Sequence, residues 1–180
     1  MTPNQITLVR LLGGVAAAIA LGEGSDTWRH WGAGLFLVSM LLDRADGELA
    51  RLSEKKSNFG HKLDLFSDAF CNAIAFFGLG LGLTSGDYGG LAPIMGAVAG
   101  LSVALIFGLV TFIESKGGPR AGELQGAGGF DPDDGVIFLP IFIWLGYPDG
   151  LLAAAFLGAP AFVAFMIVRF RHSLFVRSGS

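Results

Sequence analysis

The chain has 180 residues, of which 52% are hydrophobic and 15% charged, with 12 Lys plus Arg against 15 Asp plus Glu. A soluble domain carries about a quarter charged residues, and the mean hydropathy here is +0.61. This excludes a disordered chain, a nucleic-acid binder and an ordinary cytosolic enzyme. The single cysteine, Cys71, excludes a disulfide framework and a cysteine-built zinc site.

What remains is a small integral membrane protein. A helical span needs about 20 mostly apolar residues, and six stretches qualify in chain order. The first runs from Ile6 to Leu21. The second begins near Trp31 and continues to Leu52, with a polar lower half. The third runs from Phe59 to Leu83 and the fourth from Leu91 to Ile113. The fifth, Asp134 to Tyr147, contains Pro140 and is short, rising only about 21 Å as helix. The sixth runs from Leu151 to Phe170. The expectation is an all-α polytopic protein, about six transmembrane helices forming one domain over residues 1–180 around a cytoplasm-facing polar cavity.

Six crossings put both termini on one side. With that side cytoplasmic, Arg10, Arg44, Arg51, Lys55, Lys56, Lys62, Lys116, Arg120, Arg169, Arg171 and Arg177 lie inside, and only Arg29 lies outside. The expected location is the cell (inner) membrane. No cleavable signal peptide is visible, because polar Thr2-Pro3-Asn4-Gln5 precedes the first apolar stretch. Trp28 and Trp31 read as an outer interfacial belt. Gly78-x3-Gly82 and Gly96-x3-Gly100 read as close helix packing within the chain rather than a dimer seam.

Asp43, Asp46, Asp64 and Asp68 fall within these apolar segments. A charge at the bilayer centre costs about 2.5–3.5 kcal/mol even on the lenient insertion scale, so something must offset four of them. Asp43 and Asp46 are i, i+3, and Asp64 and Asp68 are i, i+4, so each pair shares a helix face. Gly47 and Ala50 open a cleft beside the first pair, and Gly60 and Asn72 extend the stripe of the second. The polar loop Ser53 to Asn58 turns the two helices into an antiparallel hairpin. Asp43 and Asp68 then lie at matching depth, about 13 Å from that loop.

Convergent carboxylates without thiols suit hard divalent cations, Mg²⁺, Mn²⁺ or Ca²⁺. Four negative charges match two such ions, the usual clamp for displacement at phosphorus. Arg51, one turn past Gly47, is placed to grip a phosphate. Ser57, Lys55 and Lys56 add donors and positive charge. His30, His61 and His172 are isolated and form no metal set.

The run Asp43-x2-Asp46-Gly47-x2-Ala50-Arg51-x8-Gly60-x3-Asp64-x3-Asp68 resembles the signature of the CDP-alcohol phosphatidyltransferase family, with eight fixed residues across 26 positions. Pro3-Asn4-x2-Thr7-x2-Arg10 resembles the family's N-terminal stretch. The resemblance implies transfer of a phosphatidyl group from a CDP-alcohol, CDP-diacylglycerol first among them, to the hydroxyl of a second alcohol. CMP is released, as a step in phospholipid biosynthesis. It implies two divalent ions, Mg²⁺ or Mn²⁺, bridged by Asp43 and Asp64 and completed by Asp46 and Asp68. Asp68 would also be the catalytic base, and Gly47, Ala50, Arg51 and Gly60, with Ser57 and Thr7, would line the donor pocket. The implied partners are the CDP-alcohol donor, an alcohol acceptor, membrane lipid and a second copy of the chain.

Three alternatives stand beside this reading. A family member can use a soluble CDP-alcohol and a lipid acceptor. Intramembrane acids can also serve a divalent-cation or proton-coupled transporter, but these cluster on one hairpin at one edge, where a pathway would spread polar groups over several depths. An inactive scaffold is disfavoured because all four acids are present. Asp131-Pro132-Asp133-Asp134 reads as a helix start, with Asp131 as N-cap and Pro132 at the first helical position. Lys62, Lys116, Arg120, Arg169 and Arg171 are the only basic residues available to a phosphorylated acceptor.

Overall fold

The computed structural model describes residues 3–52, 58–117 and 132–171, with side chains over residues 7–42, 65–113 and 135–171. Among the described residues there are six α-helices and no strand: α1 Pro3–Gly22, α2 Asp26–Leu52, α3 Asn58–Gly82, α4 Ala92–Gly117, α5 Phe138–Trp144 and α6 Pro148–Arg169. Leu65–Gly82, Gly89–Ile113 and Pro148–Arg169 are long and apolar enough to cross a membrane, and Thr7–Gly22 and Gly135–Trp144 are shorter apolar helices. Leu12, Ile19, Leu101, Leu157 and Val168 project outward, fully apolar and exposed, as lipid-facing side chains do. The protein is an all-α membrane protein.

The elements match the predicted spans, with two informative differences. Helix α2 begins at Asp26, five residues before Trp31. Ser25 starts it: its carbonyl accepts from the Arg29 amide at 2.9 Å and its Oγ from the Trp28 amide at 3.4 Å. Glu23 Oε2 in turn accepts from the Ser25 hydroxyl at 2.8 Å. Hydropathy marks where the apolar span begins, whereas the cap marks where the helix begins. The fifth element is a 3-10 segment, Pro132–Ile137, running into α5. Pro132 opens it as expected, while Asp131 lies outside the described residues. Pro140 is the third residue of α5, where a helix amide lacks an i−4 partner within the helix, so its missing N–H is tolerated.

Helix α1 packs on both acid-bearing helices. Among the described residues, α2 and α3 each pack on α1 far more than on one another. The expected α2–α3 hairpin therefore has α1 along its flank. On the other side α3 packs against α4, α4 against α6, and α5 closes between α2 and α6. The core runs through these seams: Ala17, Leu21, Phe36, Ala75, Leu79, Ala99, Leu139, Ile143 and Leu152 are buried in one cluster.

Small residues make the α3 seams close. A Cβ at Gly96 of α4 would stand 2.5 Å from the Phe76 carbonyl oxygen of α3, and one at Gly78 would drive into the Ala18 carbonyl of α1. Both glycine pairs singled out in the sequence thus serve packing inside the chain. Gly96→Leu is expected to force α3 and α4 apart, destabilising by about 3 kcal/mol and lowering the melting temperature in detergent by roughly 5–10 °C. An unchanged melting temperature would mean the seam has room that the backbone contact denies.

The loops at the ends of α1, α3 and α5 are knitted together. Arg29 donates to Asp26 Oδ1 at 2.6 Å, to the Gly24 carbonyl at 2.9 Å and to the Gly82 carbonyl at 3.4 Å, capping the C-terminal end of α3. Asp149 Oδ1, in the first turn of α6, accepts from the Asp87 amide at 3.2 Å. The aspartates of α2 and α3 lie towards the opposite ends of their helices.

Candidate active site

Residues 43–52 of α2 and 58–64 of α3 are helical. Asp43 and Asp46 therefore sit one turn apart on α2, and Asp64 and Asp68 one turn apart on α3. The side chains of Asp43, Asp46, Ala50, Arg51 and Asp64 lie outside the described residues, as do the surroundings of Gly47 and Gly60, and Ser57 lies outside them altogether. Among the described residues no group of three or more His, Cys, Asp or Glu is assembled.

Asp68 is described, and it points inward. Its side chain is 20% exposed, and its Oδ1 accepts a charge-assisted hydrogen bond from the Arg10 guanidinium of α1. Arg10 is 3% exposed. Its own main-chain carbonyl accepts from Ser39 Oγ of α2 at 3.0 Å, and Ser39 is equally buried. The three helices are thus linked in a row, Ser39 to Arg10 to Asp68.

Thr7, one turn before Arg10 on α1, is buried on the same helix face. Ser67 and Asn72 bury further polar groups on α3. Cys71 also lies on this helix, but its Cβ would come within 2.9 Å of a Cβ at Gly14, so its thiol is spent on the α1–α3 seam. The buried uncharged polar residues of this part of α1 and α3, Thr7, Ser67 and Asn72, carry side-chain oxygens, the ligand type a hard cation takes. An apolar groove of about 410 Å³ opens beside this turn of α3, with Leu65, Phe66 and Ala69 on one wall and Ala104, Phe107 and Thr111 of α4 on the other.

Arg10 is the residue that sequence reasoning assigned to topology rather than to the site. The signal was present: a lone cation four residues into an apolar span needs a buried partner, and Arg10 completes the Pro3-Asn4-x2-Thr7-x2-Arg10 stretch. His30 lies at the far end of α2 with Nδ1 2.6 Å from the Asp26 carbonyl, away from the acids.

This fold, with a paired inward aspartate closing the eight-residue signature, agrees with a family match running over residues 1–166. The chain belongs to the CDP-alcohol phosphatidyltransferase family. Among curated relatives, the CDP-diacylglycerol–glycerol-3-phosphate 3-phosphatidyltransferase of Cereibacter sphaeroides is 36% identical over 74 residues, 41% of this chain and 34% of that protein. The matched segment thus spans about a third of that relative's length. The phosphatidylinositol phosphate synthase of Mycobacterium tuberculosis, solved in complex with manganese and citrate, superposes with a TM-score of 0.67 at 22% identity, covering 99% of this chain and 85% of that one. Its apo form gives 0.66 at 22% identity, covering 99% and 92%. At that identity the likeness establishes the shared fold.

Proposed function

We propose that this protein transfers a phosphatidyl group from CDP-diacylglycerol to the hydroxyl of a second alcohol, releasing CMP, as a step in phospholipid synthesis. The observation that carries the reading is the inward, Arg10-bound Asp68 on α3, at the last position of the signature in a chain of this family. The acceptor oxygen attacks the phosphorus that carries diacylglycerol, and the P–O bond to CMP breaks. The hydroxyl proton passes to Asp68, which lies at the end of the acidic stripe and is partly open.

Asp43, Asp46, Asp64 and Asp68 would hold two divalent ions, Mg²⁺ or Mn²⁺. When bound, these supply the positive charge that neutralises the pyrophosphate and the departing CMP. Arg51 and the side-chain-free Gly47 and Gly60, with Ala50, Ser57 and Thr7, receive the nucleotide and its phosphates. The burial of Thr7 one turn from Arg10 supports a position for α1 along this pocket. The positive-inside count puts both termini and the site on the cytoplasmic side of the cell membrane. A homodimer completes the reading, in one family domain.

A phosphorylated alcohol is the first acceptor to try. Glycerol 3-phosphate stands in the name of the Cereibacter relative, and phosphatidylinositol phosphate in that of the Mycobacterium neighbour. Purified protein given CDP-diacylglycerol and Mg²⁺ or Mn²⁺ should release CMP with one member of a panel of glycerol 3-phosphate, inositol phosphate, inositol and serine. Silence with every alcohol, and with soluble CDP-alcohols and a lipid acceptor, would move the acids to a cation-coupled transporter.

A further inference from the structure

No step above uses Arg10, although it is the most deeply buried cation among the described residues. We propose that Arg10 is the positioning residue of the site: it fixes the plane of the Asp68 carboxylate so that Oδ2 faces the reacting groups. The inference rests on the reading of Asp68 as base and metal ligand.

The geometry supports it from both sides of the contact. Oδ1 is engaged by the guanidinium, and among the described residues Oδ2 accepts no hydrogen bond. A carboxylate held by one oxygen can present only the other. The main chain that carries the guanidinium is in turn tied to α2, because the Arg10 carbonyl accepts from Ser39 Oγ at 3.0 Å. Arg10, Ser39 and Asp68 thus form a chain of restraint from α2 through α1 to α3, the two acid-bearing helices and the one that packs on both. Stability alone is a poor reason for such a pair, since a buried ion pair seldom outperforms apolar packing of the same volume. A rigid planar fork differs in this respect from the mobile point charge of a lysine, which would neutralise Asp68 without setting its plane.

The test compares Arg10→Ala and Arg10→Lys with wild type by CMP release, by Mn²⁺ affinity from electron paramagnetic resonance of the detergent-purified protein, and by melting temperature. Arg10→Ala should lower kcat about 10²-fold and weaken Mn²⁺ binding about tenfold, with the donor KM within about threefold of wild type. Arg10→Lys keeps a paired charge and hence the fold, and should still lose about tenfold in kcat. It therefore decides the matter if Arg10→Ala does not fold. Full activity and Mn²⁺ affinity in Arg10→Lys would overturn the proposal. A raised donor KM with unchanged kcat would also overturn it, making Arg10 a donor ligand instead. If wild type releases no CMP with any alcohol, the transfer reading falls, while the Mn²⁺ arm still reports whether Arg10 orients Asp68.

Discussion

A chain carrying Asp68→Asn is expected to release CMP about 10²–10⁴-fold more slowly than wild type, the range that loss of a general base produces. The substitution is close to isosteric, and the amide oxygen can still accept from Arg10, so the local packing survives. What disappears is the negative charge and with it the capacity to take the acceptor's proton. Donor binding, assigned in the proposal to Arg51 and the α2 residues, should stay within about threefold of wild type. Because Arg10 is left buried beside a neutral partner, some stability should also be lost. A melting temperature measured alongside the kinetics separates the two effects. A kcat within twofold of wild type, in a folded variant, would remove Asp68 as the base.

Withdrawing divalent cations is expected to have an effect at least as large. A metal clamp contributes several kcal/mol of charge stabilisation in the transition state, and each 1.36 kcal/mol is a tenfold change in rate. Incubation with EDTA should therefore suppress CMP release about 10³-fold or more, and added Mg²⁺ or Mn²⁺ should restore it. Four carboxylates brought close together without a cation repel one another, so the chelated protein should also melt at a lower temperature. Asp43→Ala should mimic the chelated state and resist rescue by added metal. Activity that survives EDTA with a micromolar donor would contradict the two-ion reading.

Much of the fold was legible in the sequence, and for particular reasons. Apolar stretches of span length located α1, α3, α4 and α6 to within a few residues, because in a membrane the bilayer dictates both composition and length. The start of α2 was misplaced because Ser25 and Glu23 make the cap by hydrogen bonds that hydropathy does not register. The position of α1 against both α2 and α3 was not legible either. Connectivity says which helices are consecutive, whereas partner choice is decided by where glycine lets backbones touch, as at Gly32 for α1 on α2 and Gly78 for α1 on α3. In the site, the spacing of the four aspartates follows from helical periodicity alone and so could be read directly. The Arg10–Asp68 pair joins residues 58 apart in sequence. Only the cost of a lone cation in an apolar helix pointed to such a partner.

The glycine seams have a mechanical corollary. Where main chain rests on main chain, as between Gly78 and Ala18 or Gly96 and Phe76, there is no cushion of side chains for one rod to roll or slide over another. Helices α1, α3 and α4 therefore form a stiff anvil. Helix α2 rests on α1 in the same way, at Gly32 against the Leu21 and Ala17 main chain, so any widening needed to admit a bulky lipid falls to the short α5, which packs on α2 and α6.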